Sequence, residues 1–206
     1  VGTATYDITS DLGAGYILET QFCDPMPAGH IVRAFNGRTL VASGDTLYWS
    51  LPIWPGLCRT SQNFIKFEST IDVVRPVGQG NRSSGVFVAC GKRTYFLAGS
   101  APDEWERLLK HPTGAVFGTD LDVPSTIFPS LEYSGRVAYW WTKSGFPVIG
   151  LPNGDVQSVR ESQLATNEFA RGATLFRDEE GIDSSHDMQD DKQEIHLKLL
   201  IALLQQ

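Results

Sequence analysis

The run Gly37-Arg38-Thr39-Leu40-Val41-Ala42-Ser43-Gly44-Asp45-Thr46-Leu47-Tyr48-Trp49-Ser50 decides the fold. Two short segments in it, Thr39 to Ser43 and Thr46 to Ser50, are rich in Thr, Val, Leu and aromatic residues, which suit a pleated surface. Between them, Gly44-Asp45 supplies the positive-φ backbone of a two-residue turn. The stretch is predicted to be a β-hairpin. The same order of strand, Gly turn and aromatic strand returns from Gly85 to Leu97 and from Gly135 to Gly150. The starting positions lie 85 − 37 = 48 and 135 − 85 = 50 residues apart. A strand-built repeat of roughly 40–50 residues is the period of a propeller blade of four strands.

The hairpins also say how they are packed. Leu40-Val41-Ala42, Val86-Phe87-Val88-Ala89 and Val137-Ala138-Tyr139-Trp140-Trp141 are apolar at consecutive positions. A strand with one wet face would alternate, so these strands have two dry faces. Stacked blades meet that demand, and so does an inner sandwich strand.

Working outward, Thr3 to Thr9 and Tyr16 to Gln21 alternate around the turn Asp11-Leu12-Gly13 and are expected to form a hairpin. Asp24-Pro25-Met26-Pro27 breaks the chain, since two prolines remove two donors. His30 to Phe35 resumes as a strand, and Asn36-Gly37 turns it into the first hairpin. Leu51 to Thr60 is irregular, and Ile53 and Trp54 in this Pro-rich loop are expected to be pinned into the core or against a neighbour. Phe64 to Val74 gives one or two strands, and Val77 to Gly85 a Gly/Ser loop. Ser100 to Lys110 carries a helical signal: Ser100 with Asp103 resembles a capping box, Pro102 suits a first turn, and Trp105, Leu108 and Leu109 share a face. Strands are expected at Ala115 to Gly118, Leu121 to Val123, Arg136 to Thr142, Phe146 to Ile149 and Val156 to Val159.

From Arg177 the composition shifts. Residues 178–192 read as an acidic linker. Residues 193–206 place Leu197, Leu200, Ile201 and Leu204 at helical spacing, which predicts an apolar helix that docks at home or on a partner. At about 14 residues it is too short to span a membrane. The expected organisation is a β domain over 1–177, a linker over 178–192 and a docking or oligomerisation helix over 193–206. The fold class is mainly β: antiparallel and propeller-like, a partial or small propeller of four-stranded blades, with a short internal helix and the C-terminal apolar helix. The opening on Val1, already inside a strand-like run, suggests an N-terminal part beyond it.

With 206 residues, 41% hydrophobic, the chain can bury a sizeable core. A net charge of −7 argues against gripping nucleic-acid phosphates over a broad surface, though an acidic wall suits a conduit to which DNA must not stick. Cys23, Cys58 and Cys90 are far apart and without a CxxC, so they read as reduced buried thiols. The loop Gly78-Gln79-Gly80-Asn81-Arg82-Ser83 resembles a phosphate cradle only in its glycines, because a strand and not a helix follows it. His30, His111, His186 and His196 have no metal-ligand spacing, and no Gly-x-Ser-x-Gly elbow is present. Tyr48, Trp49, Tyr95, Phe96, Trp140 and Trp141 could stack on sugars, but their place in the repeated strands favours the core. No catalytic constellation emerges, and the expectation is a non-enzyme without cofactor or metal.

The run Asp24 to His30, then Phe35-Asn36-Gly37-Arg38, then Val41 to Ser50 resembles a segment of tailed-bacteriophage virion proteins. Gly114 to Thr119, Ser144-Gly145 with Gly150, and Asn153-Gly154-Asp155-Val156 extend the resemblance over roughly residues 20–177. The family is that of propeller-shaped tail components of short-tailed phages, the nozzle or packaged-DNA stabilisation proteins. The resemblance implies a homo-oligomeric ring of copies in the virion, assembled in the host cytoplasm. That ring sits below the portal and adaptor and forms a channel that retains and releases DNA without specific binding. Ile53, Trp54, Leu197, Leu200, Ile201 and Leu204 are then the expected partner contacts. The alternative is a carbohydrate-binding or host-recognition propeller, and a third reading, a WD-type scaffold, lacks any Trp-Asp strand ending.

Overall fold

Asn36 and Gly37 hold positive φ, 43° and 78°, and turn the chain back after five residues of strand. Asn tolerates that region and Gly enters it without steric cost, so this dipeptide makes the tight turn the sequence predicts. The computed structural model describes residues 20–79, 82–128, 131, 133–159 and 171–175. The expected N-terminal hairpin lies outside the described residues except for its last two positions. The acidic linker and the C-terminal helix lie outside them entirely.

In chain order the strands are β1 (Asp24–Pro25), β2 (Ile31–Phe35), β3 (Arg38–Ser43), β4 (Thr46–Trp49), β5 (Leu57–Cys58), β6 (Phe64–Lys66) and β7 (Ile71–Gln79). There follow β8 (Arg82–Cys90), β9 (Arg93–Ala98), β10 (Glu106–His111), β11 (Leu121–Pro124), β12 (Arg136–Trp141), β13 (Pro147–Gly150) and β14 (Val156–Ser158). They form three four-stranded antiparallel sheets, and β1 pairs with β5 in a two-stranded ribbon. Sheet 1 is β2-β3-β4-β6, sheet 2 is β7-β8-β9-β10 and sheet 3 is β11-β12-β13-β14. Every neighbour in each sheet is also the next sheet strand in the chain. The fold class is therefore mainly β and antiparallel, built from repeated meanders.

The three glycine-hinged hairpins found in the sequence occupy equivalent places. β3–β4, β8–β9 and β12–β13 are the two middle strands of their sheets. In sheet 2 the side chains are buried on both faces, for the reason the consecutive apolar residues gave. Val86, Val88, Cys90, Tyr95 and Leu97 pack with Ile31, Phe35, Leu40, Leu47 and Trp49 of sheet 1. The alternate residues Phe87, Ala89 and Phe96 pack with Ala138, Trp140 and Val148 of sheet 3. The sheets thus lie face to face in the order 1, 2, 3. Gly150 sets the closeness of the second contact: a Cβ there would fall 2.5 Å from Phe87 and 2.8 Å from Trp140. The outer face of sheet 3, with Val137, Tyr139, Trp141 and Ile149, is closed by Ile127, Phe128, Leu131 and Tyr133 of its own β11–β12 connection.

Three expectations need correction. The short internal helix over Ser100 to Lys110 is a three-residue 3-10 turn, Pro102–Glu104, followed by β10. The open edge of β9 decides this, because it pairs with the segment and sets Leu108 opposite Phe96 and Leu109 opposite Tyr95. The segment is too short for helix propensity to outweigh such a ladder. The Gly/Ser loop over Val77 to Gly85 is largely paired, with β7 and β8 continuing to Gln79 and from Arg82 through a register shift at Val77/Gly78. Ala115 to Gly118 makes only isolated bridges, Ala115 to Thr142 and Phe117 to Arg171.

Candidate functional site

The repeated aromatics do not gather into a surface. Trp49, Tyr95, Phe96, Trp140 and Trp141 are buried, and Tyr48 is half-buried. Among the described residues no group of three or more His, Cys, Asp or Glu is placed to hold a metal ion. His30 Nε2 lies 2.7 Å from the Ile71 carbonyl oxygen, and the ring packs against Phe117. His111 Nδ1 lies 2.7 Å from Thr113 Oγ1. His186 and His196 lie outside the described residues. Cys58 and Cys90 are buried, Cys23 is half-buried, and none is in a disulfide. Burial and then the charges of Asp24 and Cys23 raise the Cys58 thiol. Burial and then the Glu68 carboxylate push Cys90 up to about 12, so neither is poised as a thiolate nucleophile.

What the fold does bring together is charge, along one side of the stack. Among the described residues the first strands of the sheets, β2 and β7, have no strand partner on their outer edges and must satisfy edge carbonyls some other way. Arg33 of β2 donates from Nε to the Val74 carbonyl of β7 at 3.1 Å and from Nη2 to Asp120 Oδ2 at 2.8 Å. Arg75 of β7 donates from Nη2 to the Asp120 carbonyl at 2.8 Å and pairs with the same carboxylate at 2.5 Å. Asp120 immediately precedes β11, so one carboxylate ties the first strands of all three sheets. Its side chain is only 6% exposed, which strengthens both pairs. Lys143, in the β12–β13 turn, adds a bond to Asp72 of β7 at 2.7 Å. Sequence reasoning missed this cluster. Its signal was present in Ile31-Val32-Arg33-Ala34-Phe35 and Ile71-Asp72-Val73-Val74-Arg75, each with an arginine in a mainly apolar strand.

Of the expected partner contacts, Ile53 and Trp54 are described and Leu197, Leu200, Ile201 and Leu204 are not. Ile53 is 86% exposed and Trp54 49% exposed, so this loop is not pinned into the chain's own core. Nor is it loose. Leu51 N–H donates to Leu57 O, Trp54 N–H to Leu51 O, Leu57 N–H to Trp54 O and Ile53 N–H to Gly37 O. Met26 N–H donates to Gly56 O, beside the β1–β5 ribbon. Ile53 is held at φ 69°, a region that a β-branched residue avoids at a cost of about 1–2 kcal/mol. The loop therefore presents an isoleucine and a tryptophan to solvent in a fixed shape. Such an arrangement can anchor a partner with little ordering cost. No family model matches this chain, and no curated protein matches it.

Proposed function

We propose that this chain is a structural component of a bacteriophage virion tail, nozzle-like or hub-like. On this reading the three sheets are blades of a partial or small propeller. The chain assembles as a homo-oligomeric ring with portal-adaptor tail proteins and forms or closes the DNA exit channel. The observation that carries the reading is the stack itself: three meanders of one topology, face to face in chain order, with their first strands joined at Asp120. A propeller sets its first strands around an axis in this manner. The resemblance over residues 20–177 supports the tail role. The net charge of −7 suits a wall past which DNA slides. The rigid Ile53–Trp54 loop supplies a contact for a tail neighbour.

The test is the full chain in solution and by electron microscopy. A ring with an axial opening, which binds a portal–adaptor assembly, is the expected result. A chain that stays monomeric at all concentrations and ignores such assemblies would overturn the proposal.

A further inference from the structure

The net charge of −7 is not carried by the sheets. Of the 17 Lys and Arg and 24 Asp and Glu, the described residues hold 13 and 10, a formal +3, and the rest of the chain holds 4 and 14. The acidic balance of the whole chain therefore hides a cationic stack.

The surplus has a place in the fold. The turns between the two middle strands of the sheets, Gly44-Asp45, Gly91-Lys92 and Lys143–Gly145, lie together at one end. The Gly44 carbonyl accepts from the Ile71 N–H, where β7 begins. Gly114 joins the turns of sheets 2 and 3: its carbonyl accepts from the Lys143 N–H at 2.9 Å, and a Cβ there would collide with the Gly91 carbonyl. Three residues further on, Phe117 bridges to Arg171 and its carbonyl accepts from the Gly172 N–H at 3.0 Å. Lys92, Lys143 and Arg171 thus reach this end from three parts of the chain. The acids beside them are already engaged. Asp45 is paired with Lys66 at 3.4 Å, Asp72 with Lys143 at 2.7 Å, and Asp120 with Arg33 and Arg75. Glu68 accepts from the Tyr95 hydroxyl at 3.0 Å and balances Arg93, which donates to the same hydroxyl at 3.4 Å. Lys92 and Arg171 are exposed and have no carboxylate partner among the described residues. The three turns themselves carry no apolar side chain. A protein interface takes most of its energy from buried aromatic and aliphatic anchors, whereas a phosphate backbone is held by Lys and Arg alone.

We propose that this turn end contacts the phosphate backbone of duplex DNA, without reading sequence, through Lys92 and Arg171. Two free cations neutralise about two phosphates, so the contact is weak and is released by salt. The inference goes beyond the tail role and does not depend on ring formation. The experiment is fluorescence anisotropy of a labelled DNA duplex titrated with the full chain. Between about 50 and 200 mM salt, the logarithm of the binding constant should fall against that of salt with a slope of about −2. Lys92→Glu with Arg171→Glu should weaken binding at the low-salt end at least about tenfold and flatten the slope. Arg59→Glu with Arg136→Glu makes the same change in net charge away from these turns, and should weaken binding by less than about threefold. Lys92→Gln with Arg171→Gln is the second pair should charge reversal disturb the fold, and it should weaken binding in the same direction. No binding by the unchanged chain at the low-salt end overturns the proposal, and so do equal losses in the two charge-reversed pairs. Poly-glutamate that binds as tightly as the duplex also overturns it, and would mark an acidic protein as the partner. A chain that forms no ring and still binds DNA at this end sinks the ring reading alone, and a ring that ignores DNA sinks this inference alone.

Discussion

Asp120 and Asp122 are two residues apart and do different things. Asp120 is nearly buried and shared by Arg33 and Arg75, whereas Asp122 meets Arg136 at 2.6 Å with both side chains well exposed. Removing one partner of a buried ionic cluster strands the others, while an exposed pair is screened by water. Asp120→Ala should therefore cost about 3 kcal/mol in denaturant unfolding, and Asp122→Ala under about 1 kcal/mol. Equal losses would show that Asp120 is not the shared tie. Cys90 gives a pH prediction. Burial, with the Glu68 carboxylate behind it, lifts its thiol from 9.0 to about 12 in the folded chain. The unfolded chain gives up that proton from about pH 9, so its contribution is intact below pH 9 and is lost as pH rises toward 12, at up to about 1.4 kcal/mol per pH unit. Burial raises Tyr139 in the same direction, which adds to the loss at higher pH. Unfolding midpoints at pH 8 and pH 10 should differ, and by less in Cys90→Ala. An unchanged difference in that variant would exclude the thiol as a source.

At the scale of elements, what joins the sheets are side chains at the strand ends. Trp105, where the 3-10 turn enters β10, sets its ring edgewise to Phe35 at 5.3 Å and to Trp49 at 5.5 Å. Its Nε1–H donates to the Gly99 carbonyl at 3.2 Å. Asn36 of the β2–β3 turn donates to the carbonyls of Ser83 and Ser100 and accepts from the Ser83 N–H. Trp105→Ala should cost about 3 kcal/mol by equilibrium unfolding, and Trp105→Phe should recover most of it. A loss under about 1 kcal/mol would mean that sheet 1 and sheet 2 do not depend on this ring. Trp105 also explains the misplaced helix. Trp105, Leu108 and Leu109 fit a helical face, but this short segment meets the unpaired edge of β9, and the ladder settles its conformation.

At the scale of the molecule, sheet 2 alone has a sheet on each face among the described residues. Its amides have the least access to local opening. Native-state hydrogen exchange should be slowest in β8, slower than in β3 and in β12. Equal protection in all three would mean that the stack opens as one unit. The same view shows what was legible. The hairpins at Gly44-Asp45, around Gly91 and around Gly145 were readable because turn chemistry and β propensity act within a few residues. The two dry faces of sheet 2 were readable because a strand buried on both sides leaves no polar alternation. The Asp120 cluster was not readable, because Arg33, Arg75 and Asp120 are neighbours only once three sheets are stacked.

By itself, the sequence determined the local grammar: which three runs are hairpins, where glycine lets them turn, and that three units of about 50 residues repeat. Those properties depend on side chains next to or near each other along the chain. Tertiary structure decided the order of the sheets, the conversion of Glu106–His111 into a strand and the tie at Asp120. It also decided the exposure of Ile53 and Trp54. The reason is physical: burial, edge pairing and ion pairing depend on which surfaces meet, and residues distant in the chain determine that.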